Sequence, residues 1–251
     1  MKTDQNFQPS HILIKVCSKE EYIEDIKHGK IYMNESGYFR KLEDNYRGDR
    51  FDGKSPINLE SYKNKTMILE SLDNPSERLE LPIVTVSNFI TGFDRDDKIP
   101  MFCCSLVSEE ILEFASSGEL KIRKEYLREM RKFGNFFCMF TLKELVFGLR
   151  QVEEKNEFVM LGRKVQYTNI KKEYLPEILN DQNRCQYEPF FKKDITYRWQ
   201  NEWRVLFHSG NGPIISNDEN HYIAQIPAFQ WFESGTLDDL EHKRLPLQPI
   251  E

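Results

Sequence analysis

The chain has 251 residues, 39% of them hydrophobic and 30% charged, with 35 basic against 41 acidic side chains and a formal net charge of −6. That composition supports a folded core, argues against general disorder, and has the wrong sign for a protein that coats nucleic acid through its overall field. Apolar stretches such as Phe136–Phe140 fall far short of the roughly 20 residues that span a bilayer, and the N-terminal MKTDQNFQPS lacks a signal-peptide core, so a cytoplasmic location without a membrane partner is expected.

The first predicted element is a strand, HILIKVC, short and rich in β-branched residues. Ser18, with Glu21 three places on, predicts a capped helix through IEDIKHG that Gly29 terminates. KIYMN is a second strand. The segment after it, YFRKLEDNYRGDRFDGKSP, is dense in charge and turn residues and is expected to be an active-site loop. Further strands are predicted at Pro82–Val86 and Pro100–Ser105, then a helix from Ser108 to Ser116 stopped by Ser117-Gly118. KIRKEYLREMRKF has helical character. FFCMFT, FVMLGRKVQY, NEWRVLF and HYIAQI read as strands, separated by helical LKELVFGL and KKEYLPEILN. No repeat or linker divides the chain. Strands outnumber helices without alternating with them, which predicts one α+β domain over residues 1–251, built on a mixed sheet.

Five cysteines (Cys17, Cys103, Cys104, Cys138, Cys185) lack the paired spacing of zinc sites and are expected to be reduced. Cys103-Cys104 fall in IPMFCCS, where a buried strand is the simpler reading than a thiol nucleophile. Asp49 and Asp52 flank Gly48 and Gly53 in RGDRFDG, but the further carboxylates of a calcium loop are missing, and no metal is expected.

The most informative string is ITYRWQNEWRVLF, Ile195–Phe207. If a strand begins by Gln200, then Gln200, Glu202 and Arg204 share one face, while Trp203, Val205 and Phe207 point to the other and pack into the core. Arg204 would then hold the Glu202 carboxylate by charge-assisted hydrogen bonds. Between Lys121 and Lys132, six basic residues (Lys121, Arg123, Lys124, Arg128, Arg131, Lys132) meet only Glu125 and Glu129, with Tyr126 and Phe133 interleaved. A patch of that kind can follow a phosphate backbone, or be an ordinary solvated helix face.

The order of elements, from HILIKV through the RGDRFDG loop, MFCCS and KVQYTN to FFKKDITYRWQNEWRVLF, resembles ADP-ribosyltransferase-like proteins. The likeness is greatest to a largely uncharacterised bacterial family with an aromatic residue, a Glu and an Arg on a late strand. The sequence departs from the better-known transferase signatures: Gln200 stands where a first Glu is usual, and no Ser-Thr-Ser set is present. The resemblance implies an enzyme that takes NAD as substrate, in which Glu202 stabilises an oxocarbenium-like ribose centre with Gln200 and Arg204 beside it. Lys15, Arg40 and Arg47 would hold the pyrophosphate, Tyr32 and Tyr38 would stack on a ring of NAD, and Ser105 would orient the nicotinamide ribose. It further implies a toxin or anti-phage effector that modifies nucleic acid, RNA ahead of DNA, restrained by an antitoxin protein. NAD hydrolysis, protein modification, and a silent nucleotide- or protein-binding module are the alternatives.

Overall fold

A computed structural model of the chain describes residues 11–41, 53, 55–58, 63–70, 76–82, 88–91, 97–115, 119–169, 187–216 and 218–244. In chain order the elements are β1 (Ile12–Cys17), α1 (Glu20–Lys27), β2 (Lys30–Glu35), α2 (Ser36–Lys41), β3 (Ser55–Asn58), β4 (Thr66–Glu70), β5 (Arg78–Pro82), β6 (Asn88–Thr91), β7 (Pro100–Leu106), β8 (Leu112–Phe114), β9 (Leu120–Ile122) and α3 (Lys124–Met130). They continue with β10 (Phe136–Thr141), α4 (Leu142–Asn156), β11 (Val159–Lys164), β12 (Gln166–Thr168), β13 (Lys192–Asp194), β14 (Glu202–His208), β15 (His221–Gln225), β16 (Phe232–Thr236) and α5 (Leu237–His242). Two 3-10 turns, Glu188–Phe191 and Ile195–Gln200, flank β13. No described helix is long and apolar enough to cross a membrane.

The body is an eight-stranded sheet in the order β11-β14-β7-β1-β10-β16, with β2 also paired to β7 and β15 paired to β2. Every pairing in it is antiparallel, so this sheet is not the mixed one expected, and with the helices it makes a mixed α and β architecture of the α+β kind. Alternation along the strands sorts their side chains to the two faces. Leu13, Phe140, Val205 and Phe207 pack with Ile23 and Ile26 of α1 and with Leu145 and Leu149 of α4. Ile14, Val16, Phe137 and Met139 pack with Leu127 and Met130 of α3 and with Leu237 and Leu240 of α5. Covered on both sides, the central strands read as near-continuous apolar runs in the sequence.

The sheet forks at β7. One edge of β7 pairs with β14 from Met101 to Ser105. The opposite edge pairs with β2 at Pro100 and Met101 and with β1 at Ser105 and Leu106, so β1 and β2 diverge around Phe102–Cys104. Lys15 of β1 lies at this opening. Its ammonium donates to the Cys103 carbonyl at 2.7 Å and sits 4.8 Å from the centre of the Phe102 ring.

Several expectations change in this frame. The cap of α1 is Lys19, without a side-chain hydrogen bond, so Ser18 and Glu21 do not form the expected box. Gly29 does end the helix, with φ +79°. The helix expected from Ser108 is a single turn followed by β8, which pairs with β9. Ile111 and Ile122 are buried there, and the pairing partner outweighs the local helical signal. FVMLGRKVQY is split into β11 and β12 at Val165, whose N–H donates to the Glu202 carbonyl. β5 ends at Pro82, and 83–87 lie outside the described residues, as do KKEYLPEILN and Cys185. Tyr38 begins no open loop: Ser36–Lys41 is helical, and 42–52, with Arg47, Asp49 and Asp52, lie outside the described residues.

Candidate functional site

A cavity of about 670 Å³ opens at the fork, between β1, β2 and α1 on one side and β7, β13 and the start of β14 on the other. Its lining includes Lys15, Tyr32, Tyr38, Ser105, Gln200 and Glu202, which the sequence placed in five separate segments. The volume lies within the range of small-molecule and cofactor sites.

Glu202, the first residue of β14, is buried together with Arg204 and Lys193. Arg204 Nε donates to Glu202 Oε1 at 2.7 Å and its Nη2 reaches Oε2 at 3.3 Å. Lys193 Nζ is 2.9 Å from Oε2. Arg204 Nη1 also donates to the Phe190 carbonyl at 2.6 Å. The expected shared face of Glu202 and Arg204 is therefore observed, and Trp203, Val205 and Phe207 enter the core behind it.

Gln200 reaches the site by a route other than strand alternation. It closes a 3-10 turn, and Asn201 then takes a left-handed conformation with φ 43° before β14 begins. Asn tolerates that conformation better than most residues, and its amide fixes the bend by donating to Leu106 O and Ser108 Oγ, both at 2.7 Å. The corner brings the Gln200 side chain back over Glu202, and Lys193 Nζ donates to Gln200 Oε1 at 2.8 Å. Ser105 serves the same corner: its hydroxyl donates to the Gln200 carbonyl at 2.7 Å. Tyr167 of β12 completes the frame by accepting from the Glu202 N–H at 2.8 Å.

Burial alone would raise the Glu202 pKa, but Arg204 and Lys193 outweigh it and hold the carboxyl well below the usual range. A depressed carboxyl contributes stability that is fully present above its unfolded value, near 4.5, and is lost as pH falls through the folded value. Acid titration followed by circular dichroism is therefore expected to show wild-type stability dropping below about pH 4 more steeply than that of a variant in which Glu202 and Lys193 are both neutral. Cys103 hydrogen-bonds to the same carboxylate; burial, with Glu202 beside it, pushes its thiol well above the ordinary value. Burial moves Cys104 to about 12. Both stay protonated thiols at neutral pH, in line with the structural reading of this pair, and the described cysteines are all free.

The walls are aromatic. Tyr32 alternates with the buried Ile31 and Met33 on β2, so its ring faces out of the core into the cavity, where it stacks on His221 at 4.5 Å. Tyr38 packs edge-on against Phe39. Arg40 is elsewhere: it is ion-paired with Asp97 and is not among the lining residues, so the expected phosphate role falls away from the cavity as it stands. Lys193 was not anticipated. In FFKKD neither lysine carries a signal that separates it from its neighbour, and a three-residue strand is too short for alternation to choose between them.

The basic run does not form an unbalanced stripe. Lys121 pairs with Glu113, Lys124 with Glu241, Arg128 and Lys132 with Glu129, and Arg131 with Asp238 and Glu241. Arg123 donates to the carbonyls of Leu112 and Glu109. Lys124, Arg128 and Lys132, spaced one turn apart, are thus relieved by Glu241 of α5 and by Glu129.

Comparison with known proteins returns no family model, no curated protein and no solved structure that matches this chain.

Proposed function

We propose that this chain is an NAD-consuming ADP-ribosyltransferase whose active site is the cavity at the fork of the sheet. The observation that carries the reading is convergence: Lys15, Tyr32, Tyr38, Ser105, Gln200 and Glu202 come from distant segments and line one cavity. The floor holds an ionised, rigidly held carboxylate, Lys15 lines the same cavity, and the walls offer rings on which a nucleotide base can stack. In the reaction the bond between ribose C1 and the nicotinamide nitrogen breaks, and the electron pair leaves with nicotinamide. The acceptor's lone pair then forms the new bond to C1, and the acceptor loses a proton. Glu202, preorganised where positive charge develops on the ribose, stabilises that centre. Lys15 supplies positive charge for the pyrophosphate.

The acceptor in this reading is nucleic acid, RNA ahead of DNA. Lys124 and Arg128 keep 68% and 73% of their side chains exposed, and exposed ion pairs contribute little to stability, so phosphates can replace their acidic partners at small cost. Incubation of purified protein with labelled NAD and bacterial lysate, followed by nuclease or protease on parallel samples, tests both halves. Label lost with nuclease is the expected result. Label lost only with protease moves the acceptor to protein, and free nicotinamide without label makes water the acceptor. The absence of both label and free nicotinamide sinks the enzyme reading.

A second reading is favoured by the ion cluster itself. Glu202 between Arg204 and Lys193 also describes a structural core pair, and the domain would then be a silent nucleotide-binding module. That reading requires NAD or ADP-ribose to bind without turnover.

A further inference from the structure

Lys193 is not among the site residues that the sequence singles out, yet it touches both Glu202 and Gln200. Its side chain is only 4% exposed, and its ammonium lies 2.9 Å from Glu202 Oε2 and 2.8 Å from Gln200 Oε1. A buried ammonium is costly unless it is paired, and this one is held by acceptors on two elements, Glu202 of β14 and Gln200 of the 3-10 turn. Its position is also well defined. β13 is held to β12 in parallel register, with Lys193 opposite Tyr167, and the Lys193 ammonium is 5.3 Å from the centre of the Tyr197 ring.

Gln200 ends a 3-10 turn, and the left-handed Asn201 that follows bends the backbone before β14 begins. An amide presents an acceptor and a donor that differ only by rotation about the last side-chain bond. A cation on Oε1 selects one of the two orientations. On Glu202, Oε2 lies 2.9 Å from the Lys193 ammonium, closer than Arg204 Nη2 at 3.3 Å.

We infer that Lys193 is a positioning residue of the site, clamping the Glu202 carboxylate and the Gln200 amide into one fixed arrangement at the cavity floor. The role in turnover rests on the reading of Glu202 as the catalytic carboxylate; the clamp itself does not. Lys193 acts through Glu202 and Gln200, and so its loss lowers kcat more than it changes KM. Misplacing a reacting group by about 1 Å costs roughly 10²-fold. Among the described residues, the groups facing Glu202 besides Lys193 are Arg204 on its own strand, Cys103 of β7 and Tyr167 of β12.

The test uses the full chain as wild type, Lys193→Met and Lys193→Arg, with two readouts. Nicotinamide release from NAD is expected to fall about 10²-fold in kcat for Lys193→Met, with KM within a few-fold of wild type and partial rescue in Lys193→Arg. Carboxyl carbon NMR of glutamate-labelled protein, with Glu202 assigned from Glu202→Asp, is expected to show the Glu202 signal titrating at higher pH in Lys193→Met than in wild type. An active wild type with an equally active Lys193→Met overturns the inference. An inactive wild type refutes the enzyme reading alone, and the NMR titration then decides: a raised Glu202 titration upholds the clamp, and an unchanged one overturns it.

Discussion

Glu202→Gln is expected to lower folding stability by about 3 kcal/mol as well as to abolish turnover, because it leaves two buried cations, Arg204 and Lys193, without their counter-charge. Their side chains are 1% and 4% exposed, so water cannot compensate in place. Pairing it with Lys193→Met removes one negative and one positive charge and restores the wild-type net charge of the cluster. The double variant is therefore expected to recover much of the lost stability in urea unfolding while remaining inactive. Equal stability of Glu202→Gln and wild type would show that the cluster is far better hydrated than its burial indicates. The result matters for interpretation, since an inactive single variant is also a less stable one.

Phe190→Ala is expected to cost about 3–5 kcal/mol, the range for deleting a fully buried phenylalanine ring. The ring packs with Ile99, Phe191 and Leu206 in a small cluster beneath β14. It also occupies the space that a Cβ on Gly53 would enter, so it fixes the close approach of that glycine, which has φ +69°. The Phe190 carbonyl meanwhile anchors Arg204. The expected functional consequence is lower activity than the stability loss alone explains, measured at a temperature where the variant is fully folded. Phe190→Leu, which keeps most of the apolar volume, should retain most of both. A Phe190→Ala protein with wild-type stability would contradict the packing described for this cluster.

The parts of the fold legible in the sequence were those where one local signal was strong and uncontested. FFCMFT and NEWRVLF are strands because β-branched and aromatic residues there have apolar neighbours on both faces of the sheet. Gly29 ends α1 because a left-handed backbone is needed against the Ile226 carbonyl, where a Cβ would collide. Illegible were the elements decided by partners far away in sequence. Ser108–Phe114 carries a helical start signal, but β9 pairs with it and Asn201 takes the Ser108 hydroxyl. The fork at β7 has no sequence signature at all, since it depends on where the pairings of β1 and β2 stop.

The site divides along the same line. Glu202 and Arg204 could be paired from two-residue spacing because both lie on one strand. Gln200 was grouped with them for a reason that does not hold, an extended strand, and belongs with them through the left-handed corner at Asn201. KIYMN alone does not say which face Tyr32 takes; the placement of β2 at the fork decides it, with Ile31 and Met33 on the inner face. Arg40 looked available in a charged segment, but Asp97, 57 residues later, claims it. Lys193 illustrates the general limit: the ionic partners of a buried charge are set by tertiary contact, and nothing local distinguishes it from Lys192.

Nicotinamide release from NAD by wild type and by the charge-balanced Glu202→Gln/Lys193→Met variant, in the presence of bacterial lysate and with both proteins shown to be folded, tests the central claim most directly. The account predicts release by wild type and a loss of at least about 10²-fold in the double variant, the scale for removing one preorganised group from a charged transition state. No release by wild type, or equal release by both, would contradict it.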